Sequence, residues 1–588
     1  MSDAKETLNK SLRIIRLFPN ERKIAEMASF MKVAGSTAAV LGAAALIFYC
    51  VPNRDMKIAD LIDTVSYREI GFTEPSKDKL MKDFDQFTDI LLTGIPNIED
   101  GRKVFGYSFA DKMDDYRRMA EDCENAFDFY CLLEGICADV PNCHTYMNYA
   151  QGNYYFSTLC FNSEHALASP NVRGRADAWY DYLGEKMKDY YENSDMLIYL
   201  YTDGHYMNIE YMDMDLRNEY GAEILEIDGE PVADFVEKNM FSTKLRYDFK
   251  NNKAFRDSFT LNVSGIGEEH TALMAMDDGT ECEKTVWYSL AQDIAGNEAY
   301  FYCSDLKDYD FESDMQEADA SSFRYEYIDE SDTLYINLLS FNYFSGTKLY
   351  DLMAEYADST NIILDVRDNG GGITGFWEEN IYEPLFSDEL NIENVSYLEL
   401  NHYNKNPFGD LWESCYYSHR RINANELPFS TDSTYPWYKF TESASYTGEY
   451  SGDKENDRNI YILAGRNSAS LADEFVHYFK TNDLAVVIGE NTMGEGIAPT
   501  YMCSLLPETG LLFNYSPFVA FNSDGNDNSI YGTEPDIYVT LTPDDYLINR
   551  KIRMDGGDTL IYENRLKWDT ELKYVLALAE ENASKEAA

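Results

Sequence analysis

The chain has 588 residues, 26% of them charged, and a formal net charge of −55. A chain this acidic argues against a nucleic-acid partner, because such binding is driven by neutralising phosphates. Its length predicts two or three domains. Ten cysteines in so long a chain do not make a disulfide scaffold. No C-x-x-C occurs, and the spacings suit neither a zinc finger nor a ribbon, so buried free thiols and no metal are expected.

Residues 1–32 carry seven Lys/Arg against four acids, and Val33 to Val51 follows as 19 residues without a charge. That run is just long enough to span a bilayer, and the basic flank predicts a cytoplasmic N-terminus. A single-pass signal anchor over 33–51 is expected, with the rest of the chain outside the cytoplasm. A cleaved signal peptide and a buried core helix are the alternatives. Residues 58–160 read as a helical region, with a helical stretch from Met119 to Cys137 ahead of His144. Cys123, Cys131, Cys137, Cys143 and Cys160 cluster there.

Residues 161–320 read as β-rich. Leu197, Tyr199 and Tyr201 alternate ahead of Asp203-Gly-His-Tyr206, as in a strand and turn. Gly221 to Val232 reads as strand, turn and strand about Asp228-Gly229, a good hairpin turn, with a helix over Val232 to Asn239. Residues 321–547 mix strands and helices. Tyr325 to Ser340 reads as a hairpin, Asp351 to Tyr356 as a crossover helix, and Asn361 to Asp365 as a buried strand running into Gly370-Gly-Gly372. Three glycines there let the backbone turn and expose N–H groups. Glu442 to Asp457 is polar and expected to be an exposed loop. Ile460 to Ala464 is a strand, Gly465-Arg466-Asn467 a turn, and Leu471, Phe475 and Phe479 mark one face of a helix. Residues 548–588 form a helical tail. Ser470 sits at that helix N-terminus, where free N–H groups favour developing negative charge. The bland reading is that Ser468 or Ser470 only caps the helix.

Four segments carry a family resemblance. Leu364-Asp-Val-Arg-Asp-Asn-Gly-Gly-Gly372 resembles the LDLRxNGGG signature of the tail-specific, or C-terminal-processing, peptidases (the S41 peptidases). Asn467-Ser-Ala-Ser-Leu-Ala-Asp473 resembles their GSASASE nucleophile segment. Ile488-Gly-Glu-Asn-Thr-Met-Gly-Glu-Gly496 resembles VGExTxGKG, and Gly532-Thr-Glu-Pro-Asp-Ile-Tyr-Val539 resembles GVxPDxxV. Gly221 to Val232 resembles the strand–turn–strand of the PDZ-like modules that accompany many of these enzymes. The resemblance implies an α/β fold: an S41-type (ClpP/crotonase-like) peptidase core over 321–547 with a PDZ-like insert in 161–320, behind the helical region and the transmembrane helix.

The resemblance also implies a nucleophile, Ser470, and amide hydrolysis through an acyl-enzyme, with peptides or proteins as substrates and no cofactor. In the Ser-Lys members, the base lysine lies 25 residues after the serine; Glu495 occupies that position here. A carboxylate cannot replace that amine, so the expectation moves to the histidine-using, tricorn-like branch. His144, in a segment resembling DxHT, is the first choice for the base, and His205 is the alternative. His477 lies seven positions along the serine's own helix, about 10 Å away at 1.5 Å per residue. Gly371 and Leu471 are expected to supply oxyanion N–H groups, each worth about 3 kcal/mol of transition-state stabilisation. The acid that orients the histidine stays open among Asp473, Glu474, Asp527 and Ser529. Ser468 is expected to be dispensable. The reading as a whole is a membrane-tethered extracytoplasmic serine endopeptidase. Its alternative is an inactive homologue that holds extended peptides along a strand edge.

Overall fold

The computed structural model describes residues 71–586, apart from 148–169, 212–220, 303–321, 405–416, 453–456 and a few shorter breaks. The basic segment 1–32, the apolar run Val33 to Val51 and Cys160 lie outside the described residues. Among those described, no helix is long and apolar enough to cross a membrane.

The centre of the fold is a six-stranded sheet: β1 (Phe323–Ile328), β2 (Thr333–Leu338), β3 (Asn361–Asp365), β4 (Asn459–Ala464), β5 (Val486–Gly489) and β6 (Ile537–Tyr538), in that spatial order. β1 and β2 form the expected antiparallel hairpin, and every later pair is parallel. Parallel strands are covered on both faces, which explains their near-continuous apolar runs. On one face Leu334, Ile336, Ile362, Leu364 and Ile462 pack with Phe475 and Phe479. On the other, Tyr335, Ile363, Tyr461 and Leu463 pack under Leu572, Val575 and Ala579 of the C-terminal helix.

Two segments depart from expectation. The single helix over Met119 to Cys137 is two, Met113–Asp122 and Ala126–Ala138. Asn125 separates them by accepting from the N–H groups of Phe127 and Asp128, a cap that starts a new helix. The polar stretch from Glu442 is a strand as far as Thr447, part of Trp437–Thr447, which pairs with Glu389–Glu399 along its length. Its outer half is exposed on alternate residues, so Ser, Thr and Glu stand where strand signals would be sought.

Residues 196–288 contribute a seven-stranded antiparallel sheet, in which Asp228 and Gly229, both at positive φ, make a tight hairpin turn. The helix after it runs Val232–Lys238. A separate hairpin, Leu245–Asp248 with Lys253–Arg256, projects from this unit. His144 lies on the loop between the helix Ala126–Ala138 and the short strand Tyr146–Met147, which pairs with Leu512–Tyr515.

Candidate active site

The loops that leave β3, β4 and β5 meet at the carboxyl edge of the sheet, where open α/β sheets hold their ligands. Ser470 ends the loop after β4 and opens the helix Leu471–Thr481. Its backbone is at φ 53° and ψ −125°, and its side chain makes no cap hydrogen bond. A non-glycine residue held in this way costs about 1–3 kcal/mol and recurs where a nucleophile is presented on a sharp strand-to-helix turn. The capping role belongs to neither serine. Ser468 is fully buried, donates to Val366 O at 2.7 Å and accepts from Gly465 N at 3.1 Å, so it staples two loops together.

The glycine loop lies directly on this turn. A Cβ on Gly371, at φ 101°, would stand 2.8 Å from Ala469 O and 2.9 Å from Leu471 N. Only glycine permits that approach. Ala469 N donates to Asn369 O at 3.1 Å. Gly371 N donates to the Asn369 side chain at 2.8 Å and is therefore engaged. The N–H groups of Gly370 and Leu471 have no acceptor among the described residues.

The loop after β5 brings Glu495. Gly494 O accepts from Ser470 N at 3.0 Å, and Glu495 is the next residue. Its carboxylate is 2% exposed; Oε2 accepts from the His144 backbone N–H at 2.8 Å and lies 3.3 Å from His144 Nδ1. Glu495 Oε1 has no hydrogen-bond partner among the described residues. Cys143 reaches Gly494 O with its Sγ at 3.9 Å. Burial first, and the Glu495 charge second, push the Cys143 thiol well above its ordinary pKa. The Tyr501 ring packs 5.2 Å from the imidazole, centroid to centroid. The Ser470 hydroxyl makes no hydrogen bond among the described residues. Thus His144 and Ser470 meet through Glu495 and Gly494, with imidazole and hydroxyl not yet bonded.

Long-range ties fix both loops. Asp473, fully buried on the Ser470 helix, accepts from Gly496 N at 3.0 Å, Asn528 Nδ2 at 2.9 Å and Thr533 Oγ1 at 2.8 Å, and from Thr492 Oγ1. It anchors the Glu495 loop and has no capacity left to orient a histidine. At the other end, Asp139 pairs with Arg256 at 2.6 Å and Lys112 at 2.9 Å. Burial raises its pKa, but those two cations hold it below the ordinary value. Lys244 donates to the carbonyls of Cys137 and Thr145, bracketing the His144 loop. Arg246 donates to Arg466 O beside the nucleophile turn. The projecting hairpin thereby grips both halves of the site. Arg367 of the LDVR segment is bound by Asp365, Asp569 and Glu571, which ties the glycine loop to the C-terminal helices.

The other sequence candidates lie apart. His205 is half-exposed and pairs with Glu223 at 2.6 Å in the seven-stranded sheet. Glu474 points into a buried cluster with Asn394 and Trp377. Asp527 caps a short helix and accepts from Ser529 and Asn97. Sequence reasoning did not pair Glu495 with His144. The available signal was the charge inversion at the lysine position, which makes a carboxylate there a partner for an imidazole.

A strained serine at the carboxyl edge of a parallel sheet, with an imidazole–carboxylate pair on the adjoining loop, defines a serine-type hydrolase. Residues 332–539 match the model of peptidase family S41, and the chain carries a serine-type peptidase domain of that family. No curated protein matches this chain in sequence. Among solved structures, mature CPAF complexed with lactacystin is 11% identical, covering 86% of this chain and 99% of its own at a TM-score of 0.46. The photosystem II D1 C-terminal processing protease is 10% identical over 78% and 92%, with a TM-score of 0.32. The tricorn protease is 14% identical over 86% and 37%, with a TM-score of 0.30.

Proposed function

We propose that this peptidase cleaves peptide bonds internally through an acyl-enzyme on Ser470, with His144 as general base and Glu495 as the acid that orients it. The observation carrying the proposal is the double hold of Glu495. Its Oε2 engages His144 N and Nδ1, while the preceding carbonyl takes Ser470 N. Held through Nδ1–H, the imidazole keeps its Nε2 lone pair for the serine proton. Ser470 Oγ attacks the carbonyl carbon, Nε2 takes the proton, and the leaving amine then receives it. Water repeats the sequence to free the enzyme. The open Ser470–His144 contact closes when substrate is bound, since catalytic hydrogen bonds often tighten only in that complex. The Leu471 N–H and the glycine loop hold the oxyanion. Gly370 N has no acceptor among the described residues and is the first choice in that loop, and Gly371 serves only if Asn369 lets go.

The uncharged run Val33 to Val51 with its basic flank supports tethering to a membrane, the acidic domains lying outside the cytoplasm. Protease added to intact cells would then digest the large domain, and full protection would oppose that orientation. The chemistry is tested with a fluorophosphonate, which labels only an activated serine. Wild-type protein should label and Ser470→Ala should not. Labelling retained in Ser470→Ala, or none in the wild type, rejects the proposal.

A further inference from the structure

Cys143, His144 and Glu495 each present a ligand atom, and these atoms lie within 4.8 Å of one another. Two are neighbours in the chain and the third arrives from 351 residues away, so no spacing pattern could have shown the group. A second observation points the same way: Glu495 is 2% exposed, yet its Oε1 is buried without a partner. An unpaired buried carboxylate oxygen is costly, and a cation beside it removes that cost. Thiolate, imidazole and carboxylate together suit zinc, whereas magnesium and calcium prefer oxygen throughout.

We propose that Cys143, His144 and Glu495 form an inhibitory zinc site built into the catalytic centre. The inference rests on His144 as base and Glu495 as its acid. On binding, the Cys143 thiol releases its proton and its sulfur bonds the metal. The imidazole gives its Nδ1 lone pair, at the atom Glu495 faces in the metal-free enzyme. With the metal on Nδ1, the remaining ring proton resides on Nε2, which can no longer accept the proton of Ser470. The carboxylate becomes a ligand and ceases to orient the ring. Three protein ligands leave the fourth tetrahedral position to water. A single ion thereby removes the base and its acid together, and Cys143 is the residue that adds a metal site to a Ser-His-Glu arrangement.

The test uses the purified chain, stripped with a chelator and titrated with cobalt(II) alone, then with zinc(II) in the fluorophosphonate assay. Cobalt should bind stoichiometrically with a thiolate-to-metal charge-transfer band. Zinc should suppress labelling, and chelator should restore it. Cys143→Ser should label normally without metal, show no such band, and need at least about tenfold more zinc for inhibition. Absence of the band at saturating cobalt, or equal zinc sensitivity in Cys143→Ser, overturns the proposal. The two readings separate cleanly. If His144→Ala still labels while the wild type binds cobalt through Cys143, the base assignment fails and the metal site stands. If His144→Ala is inert and the wild type binds no cobalt, the base stands and the metal site fails.

Discussion

Glu495→Gln separates the orienting charge from the shape that carries it. The side chain keeps its size in a position 2% exposed. A charge-assisted bond from His144 N becomes a neutral one, a loss of about 1 kcal/mol. Against that, a buried charge with an unpaired oxygen is removed, which offsets about 1–3 kcal/mol. Stability should therefore be unchanged or slightly raised. Chemistry should not survive the change. A neutral amide oxygen at the Oε2 position still faces His144 N and Nδ1, but it no longer balances the positive charge the imidazole takes on with the Ser470 proton. In the Ser-His-Asp template the same exchange lowers turnover about 10⁴-fold, or about 5.4 kcal/mol at 1.36 kcal/mol per decade. The assay is peptide turnover and fluorophosphonate labelling rate, with thermal unfolding followed on the same sample. A variant keeping more than about a tenth of wild-type turnover, a loss under about 1.4 kcal/mol, would remove Glu495 from the chemistry.

Three further outcomes follow from the packing. His144→Ala should abolish labelling, whereas His205→Ala, which breaks only the pair with Glu223, should label at close to the wild-type rate; the reverse ranking would move the base. Ser468→Ala leaves Gly465 N unpaired in the interior, while Val366 O keeps the N–H of Asn369, and should cost about 1–2 kcal/mol with labelling retained; an unchanged urea midpoint would refute this. Glu378 is buried, and burial foremost, then Glu442 and Glu379, pushes its carboxyl from near 4.5 up to about 8. The folded state then holds that proton more tightly than the unfolded one, so stability present below pH 4.5 is lost as pH rises toward 8. Denaturant midpoints at pH 5 and pH 8 should differ less in Glu378→Gln than in the wild type, and equal slopes would count against the assignment.

The parallel strands could be read from sequence because burial on both faces leaves unbroken apolar runs such as Ile460 to Ala464. The Ser470 turn could be read because it demands small residues and glycines close by. Trp437–Thr447 could not, since a strand with one wet face looks like any polar stretch when its partner, Glu389–Glu399, is unknown. The site failed to be legible for a related reason. Asp473 stands at a family carboxylate position, but its four hydrogen-bond donors all lie beyond its own helix. Asp139 lies just ahead of His144 in the segment resembling DxHT, and only the distant Arg256 shows it to be an ionic anchor. Glu495 was visible as a departure, while its meaning depended on which histidine the fold would bring.

The strand after His144 finds its partner at Leu512–Tyr515, and Arg367 finds two of its carboxylates only at Asp569 and Glu571. Contacts so distant along the chain close late in folding. While the protein is being made, therefore, the strand beside His144 waits for residues 512–515 and Arg367 waits for residues 569–571, so neither segment is held in place when it first leaves the ribosome.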